Sequence, residues 1–196
     1  LDEHGYTLND TWNYAINYEL ATWDGIASSY TSDHYFVAPT WAPLLEYDAK
    51  NVQQPGIAES YEVSEDGTVY TFHLRQGVNF SNGVPFNADA VLANFDRMKK
   101  GPFDSSFYGI NIDTDYPGLV SYEKTDDYTI VLTFSDPLPL QDYTMVNYGS
   151  CIFEPSCFAE DGNFNGFAIG TGPYVVKENV LGQYCVIERN DNYWDE

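Results

Sequence analysis

Residues 58–98 read AESYEVSEDGTVYTFHLRQGVNFSNGVPFNADAVLANFDRM, and the fold turns on how this stretch divides. Glu59 to Val63 and Val69 to Arg75 are two strand-like runs. Between them lies SEDG, where Asp66-Gly67 makes a hairpin turn because glycine takes positive φ without steric cost. In VYTFHLR, Tyr70, Phe72 and Leu74 share one face while Val69, Thr71, His73 and Arg75 share the other, so His73 is expected on the sheet surface rather than as a ligand. Asn82-Gly83 is a second turn. Asn87 is then the expected N-cap of a helix running to about Met98, with Asp89 in the first turn where the helix dipole favours negative charge. Val91, Leu92, Phe95 and Met98 predict a single buried stripe, leaving Asp89, Asn94, Asp96 and Arg97 to solvent.

On the N-terminal side, TWNYAINYELATWD predicts a strand between Asp10 and Asp24 with Trp12, Tyr14 and Ile16 on one side. A loop follows, and the prolines of VAPTWAPLLEYD limit any helix there to short pieces. On the C-terminal side, a polar loop from Lys99 to Gly118 leads into DDYTIVLTF, a strand in which Tyr128, Ile130, Leu132 and Phe134 alternate with Thr129, Val131 and Thr133. Asp136-Pro137 and Pro139 stop it. A short helix is expected from Leu140 to Val146, and two strands joined through Leu181-Gly182 in the last stretch.

Hydrophobic residues make up 43% of the 196 and aromatics 17%, enough apolar surface to offset chain entropy, so a compact fold is expected. Eight Lys and Arg face 30 Asp and Glu, a formal charge of −22 that repels phosphate backbones and anionic headgroups and sets nucleic acid aside as a partner. The acidity itself reads as solubility in an extracellular setting. No run approaches the roughly 18 apolar residues of a membrane span, and the first residues lack the pattern of a signal peptide.

Sites of chemistry are scarce. Cys151, Cys157 and Cys185 are odd in number and lack CxxC or zinc-type spacing, leaving open one disulfide plus a free thiol, with at least one cysteine expected as buried apolar filler. His4, His34 and His73 are far apart, and none sits in HExxH or beside a cysteine. Gly170, Gly172 and Pro173 lack the Lys and Ser/Thr of a phosphate cradle and read as a turn into a strand. NIDTDYPG puts Asn111, Asp113 and Asp115 at positions one, three and five of a calcium loop, but Tyr116 stands where a glycine is needed and Tyr122 where a bidentate Glu is needed. With 30 acids, carboxylate pairs arise by chance, so no catalytic residue, metal or cofactor is assigned.

The Ala58 to Met98 text resembles the family 5 extracellular solute-binding proteins of ABC importers, the peptide- and nickel-binding group. The likeness runs through the AES strand, the SEDG hairpin, TFHLR with Gly77, Phe80, the NG turn, Pro85-Phe86 and the helix. Two further blocks fall in the right order, DDYTIVLTF with Asp136-Pro137 and then GTGPY followed by ERNDNYW, and APLLEYD at Ala42 to Asp48 fits the same register. The resemblance implies an α+β (mixed α/β) fold: a type II periplasmic-binding-protein-like first lobe with the family's extra subdomain, truncated before the second lobe. Residues 1–34 and 169–196 would belong to the first lobe and residues 35–168 to the extra subdomain.

By the same resemblance the protein is expected to be no enzyme but the substrate-binding component of an ABC importer. It would capture an oligopeptide, a dipeptide or a nickel-type metal chelate in an extracellular or periplasmic setting, as a monomer, and deliver it to a membrane permease. A lipid anchor upstream of this chain would fit that placement. Tyr30 and His34 lie in the first loop, where the family places ligand contacts, and Phe107, Tyr108 and Tyr148 are the further candidates for an aromatic-walled pocket. KENVLGQYCVIERNDNYW and SNGVPFNADAVLANFD lean toward nickel-type members, which hold a chelate with arginines from this half. Here YGSC stands at Tyr148 to Cys151 and the Lys99 to Tyr108 loop offers only Lys99 and Lys100, so a chelate would lack its charge-assisted partners. The alternative is a secreted glycan-binding module with aromatic stacking platforms.

Overall fold

The computed structural model describes residues 11, 13, 15, 20, 22–26, 35–100, 112–137, 145–146, 150–180 and 182–195. Its described strands, numbered in chain order, are β1 (Leu45–Tyr47), β2 (Gln53–Pro55), β3 (Ala58–Val63), β4 (Val69–Leu74), β5 (Leu119–Asp126), β6 (Thr129–Phe134), β7 (Tyr174–Val180) and β8 (Tyr184–Arg189). A four-stranded antiparallel sheet in the order β3-β4-β6-β5 is flanked by two hairpins, β1-β2 and β7-β8. Together with the helix Ala88–Lys100 this is the mixed α/β architecture expected.

The SEDG turn forms as its residues dictate. Ser64 Oγ donates to Asp66 Oδ1 at 2.6 Å, the Thr68 amide donates to the same oxygen at 3.1 Å, and Gly67 takes φ 73°. Alternation then decides the faces: Tyr70, Phe72 and Leu74 of β4 are buried beside Ile130, Leu132 and Phe134 of β6, with Tyr70 opposite Leu132 and Phe72 opposite Ile130. Tyr61 of β3 stacks on Phe72 with centroids 5.5 Å apart. His73 lies on the opposite face, half-buried, its Nδ1 3.5 Å from Thr129 Oγ1.

The helix covers the buried face. Asn87 caps it as predicted, its Oδ1 accepting from the Ala90 amide at 3.2 Å. Val91, Phe95 and Met98 are buried, and the Phe95 ring lies 4.9 Å from Tyr116 and 5.2 Å from Tyr122 of β5. The expected polar face is wrong at two positions. Asp89 and Asp96 are exposed, but Asn94 (0% exposed) and Arg97 (3%) are buried, and Leu92 is only half-buried. Ala90, Asn94 and Arg97 follow the i, i+4, i+7 spacing of a second stripe beside the apolar one, so the helix buries two adjacent ridges.

Two further differences have local causes. LLEYDAKNVQQP carries no alternation that predicts a hairpin, yet β1 and β2 pair there. Asp48 makes it, accepting at Oδ1 from the amides of Lys50 (2.8 Å) and Val52 (2.9 Å), and Asn51 takes φ 59°. Within the expected loop from Lys99 to Gly118, Ile112–Asp115 forms one helical turn. Most of the strand expected between Asp10 and Asp24, and the helix expected from Leu140 to Val146 apart from a turn at residues 145–146, lie outside the described residues.

Residues 169–173 cross beneath residues 39–41 so closely that only glycine fits. A Cβ on Gly170 would stand 2.2 Å from the Thr40 carbonyl oxygen, and one on Gly172 would stand 2.5 Å from Pro39 O and Trp41 N. The Gly172 amide donates to Thr40 O at 3.1 Å, and Asn190 Nδ2 donates to Gly172 O at 2.7 Å, tying the end of β8 to the crossing. Cys151 and Cys157 are buried and free, and Cys185 is free, so no disulfide forms and the filler reading holds for the first two. Among the described residues no helix is long and apolar enough to cross a membrane.

Candidate functional site

The candidates Tyr30, His34, Phe107, Tyr108 and Tyr148 all lie outside the described residues. The described segment that leads toward the first two is residues 22–26, and its surroundings are built in detail. Asp24 is 2% exposed and meets Arg97 as a bidentate pair: Nη1 donates to Oδ1 at 3.1 Å and Nη2 to Oδ2. Asp24 Oδ1 also accepts from the Ile26 amide at 3.1 Å, while the Asp24 amide donates to Thr22 Oγ1 at 3.1 Å.

Arg97 is itself held from three sides. Its Nε donates to Gly162 O at 2.7 Å, and its guanidinium lies over the rings of Phe158 (4.8 Å) and Phe164 (5.5 Å). One turn earlier, Asn94 Nδ2 donates to Phe153 O at 2.7 Å while its Oδ1 accepts from the Phe153 amide at 3.1 Å, copying the pairing of a neighbouring strand. Phe153 and Cys151 in turn press on Gly25, where a Cβ would lie 3.2 Å from Cys151 Sγ. The ring of Trp23 packs edge-on to Phe167 at 5.8 Å, with its indole N–H buried and unpartnered. Hydrogen bonds, an ion pair and close packing therefore join the helix, residues 151–167 and segment 22–26.

Burial shapes the titratable groups here. It pushes the Cys157 thiol up to about 11, and raises the Cys151 thiol well above its usual range, so neither is a ready nucleophile. Burial also raises Asp115 to about 6, and its Oδ2 has no hydrogen-bond partner. Where the nickel-type pattern would set an arginine, Ser150 and Cys151 are buried, and Lys99 lies over the Tyr122 ring at 5.7 Å. Among the described residues no group of three or more His, Cys, Asp or Glu is placed to hold a metal ion.

A separate open depression of about 570 Å³ lies at one end of the sheet, lined by Glu59, Ser60, His73, Gln76, Asp126, Asp127 and Thr129 among others. Asp126 is committed to its own turn: the Tyr128 amide above all, donating at 2.8 Å, holds its carboxyl below the usual range.

The profile of the "Bacterial extracellular solute-binding proteins, family 5 Middle" matches residues 52–196. The chain belongs to the family 5 solute-binding proteins. It is 33% identical over 176 residues to the nickel-binding periplasmic protein of Escherichia coli (strain K12), covering 85% of this chain and 32% of that one. It is 31% identical over 150 residues to the glutathione-binding protein GsiB of the same strain, covering 76% and 28%. In structure it is similar to NikA from Brucella suis in complex with Fe(III)-EDTA, at a TM-score of 0.75 and 31% identity, covering 88% of this chain and 34% of that one. The chain thus spans about a third of the length of these relatives. Family 5 members are solute-binding transport proteins rather than enzymes, and nothing in these likenesses supports the glycan-binding alternative.

Asp24 and Arg97 were the residues sequence reasoning missed. The helix pattern held no signal for the pair, because hydrophobic periodicity ranks Arg97 with the solvent-facing residues and Asp24 lies 73 positions away.

Proposed function

We propose that this chain is part of the substrate-binding component of an ABC importer, which captures a peptide or a metal chelate outside the membrane and hands it to a permease. The match of residues 52–196 to the family 5 profile carries this reading. The similarity to proteins named for nickel and for glutathione spans both ligand classes, so the ligand is a peptide-like molecule or a chelate. Residues 1–34 and 169–196 would form the ligand-facing first lobe and residues 35–168 the extra subdomain, with the glycine crossing at Gly170 and Gly172 near the boundary. Tyr30, His34, Phe107, Tyr108 and Tyr148 are the proposed ligand contacts. The receptor works as a monomer in an extracellular or periplasmic setting, free or held at the membrane surface by a lipid anchor upstream of this chain.

The absence of an arginine between Tyr148 and Cys151 favours peptide-like ligands over a carboxylate chelate, because a chelate there would find no charge-assisted donor. Titration calorimetry of the full-length receptor with a dipeptide and tetrapeptide library, glutathione, and nickel–histidine chelates tests this. Micromolar or tighter binding of a peptide-like probe is expected, and binding of none of the probes would refute the ligand class. Residues 1–196 alone are expected to bind far more weakly than the full receptor, since part of the contact surface is missing.

A further inference from the structure

Five Asn-Gly or Asp-Gly pairs occur in the chain: Asp24-Gly25, Asp66-Gly67, Asn82-Gly83, Asp161-Gly162 and Asn165-Gly166. They share one chemical liability. Glycine has no Cβ to hinder its amide nitrogen, which can reach the carbonyl carbon of the preceding side chain and close a cyclic imide. In a folded protein this needs a free glycine amide as nucleophile and a free side chain as electrophile.

Four of the pairs are held, three of them by a glycine amide that donates to the carbonyl three residues back: Gly67 to Ser64 at 2.9 Å, Gly83 to Phe80 at 2.8 Å and Gly162 to Ala159 at 2.9 Å. Their side chains are tied as well. Asp66 accepts from Ser64 and Thr68, and Asp161 from the Asn163 amide. Asn82 donates to Glu154 Oε2 and accepts from the Val84 amide, each at 3.1 Å. Asp24 is buried in its ion pair with Arg97. Asn165-Gly166 differs. Both residues are exposed, and among the described residues neither the Asn165 side chain nor the Gly166 amide has a hydrogen-bond partner. Exposure does not make the distinction, because Asn82 and Gly83 are exposed too.

We propose that Asn165 is a site of spontaneous deamidation. The Gly166 amide nitrogen gives its proton to hydroxide and attacks Cγ of Asn165, the Cγ–Nδ2 bond breaks, and ammonia leaves from a succinimide. Water then opens the ring at either carbonyl, leaving aspartate or isoaspartate at position 165. Either product adds a negative charge. The isoaspartyl form also inserts a methylene into the main chain between two fixed points: Asn165, whose amide donates to Cys157 O at 2.6 Å, and Ile169, whose carbonyl accepts from Glu154 at 2.8 Å. Phe167, packed edge-on to Trp23 at 5.8 Å, lies between them and takes up the displacement.

The test incubates the full-length receptor at mildly alkaline pH and follows its proteolytic peptides by mass spectrometry. A gain of about 1 Da is expected in the peptide holding Asn165 at least about fivefold faster than in the one holding Asn82. In concentrated urea the two rates should come within about threefold of each other, since unfolding removes the hydrogen bonds that hold Asn82 and Gly83. Modification of Asn82 as fast as Asn165 in the folded receptor would overturn the proposal. So would an unchanged ratio in urea, which would place the preference in the sequence rather than the fold. Asn165→Gln, whose longer side chain closes the ring far more slowly, is expected to abolish the gain at this position and to keep the melting temperature of fresh protein through the incubation. The isoaspartyl fraction of the wild type is expected to melt lower, and an unchanged melting temperature in that fraction would overturn the displacement of Phe167.

Discussion

The two buried ridges of the Ala88–Lys100 helix do different work. Val91, Phe95 and Met98 seal the four-stranded sheet with apolar contacts, and their neighbours are residues close in the sheet order. Asn94 and Arg97, one step around the helix, gather segments far apart in the chain: Asp24, Phe153 and Gly162. Apolar packing is non-directional and tolerates small shifts, whereas hydrogen bonds in a dry site specify partners and angles. The first ridge joins the helix to the sheet, and the second decides how segments distant in sequence are laid against the helix.

The largest way to break this contrast is Arg97→Ala. It leaves the Asp24 carboxylate buried without its cation, and about 3–5 kcal/mol of stability is expected to be lost in urea unfolding. Replacing both partners with apolar groups, as in Asp24→Leu with Arg97→Met, should recover most of that loss. A double variant as unstable as Arg97→Ala would show that the ridge acts through shape rather than charge.

Asn94→Ala comes next. It strips the Phe153 amide and carbonyl of their side-chain partners while the apolar ridge stays intact, and a loss of about 2–3 kcal/mol is expected. Gly172→Ala probes the same assembly from the other end of the chain. Its Cβ would meet backbone rather than a movable side chain, so about 1–3 kcal/mol should be lost, with the near-ultraviolet signal of Trp41 reporting the displaced crossing.

How much of this was legible follows the same division. Alternation in VYTFHL and TIVLTF, the Asp66-Gly67 turn and the Asn87 cap were readable because each is a local rule acting within a few residues. The second ridge was not. Hydrophobic periodicity ranks Asn94 and Arg97 with Asp89 and Asp96, and nothing in the helix tells a polar residue that meets water from one that meets a partner 59 or 73 positions away. The β1-β2 hairpin failed for a related reason, since Asp48 organises it through two backbone amides and supplies no apolar pattern. Of the ligand site, the family resemblance offered candidate residues, and these lie outside the described residues.

Asp115 gives the smallest effect and the sharpest sign. It ends the one-turn helix next to Tyr116, which packs against Phe95, and burial raises its carboxyl from 3.8 to about 6. A carboxyl raised in the folded state binds its proton more tightly there than in the unfolded chain. Its stabilising contribution is therefore complete below about pH 4 and is lost as pH rises through about 6. The shift of about two units corresponds to about 3 kcal/mol, and partial contact with water reduces this to about 1–2 kcal/mol. Asp115→Asn removes the titration. Its stability relative to wild type should therefore be about 1–2 kcal/mol more favourable at pH 8 than at pH 4, a difference that cancels any pH-independent cost of the amide. A flat difference across that range would mean that Asp115 is solvated in the folded protein and that the apolar ridge beside it is less tightly closed than the polar one.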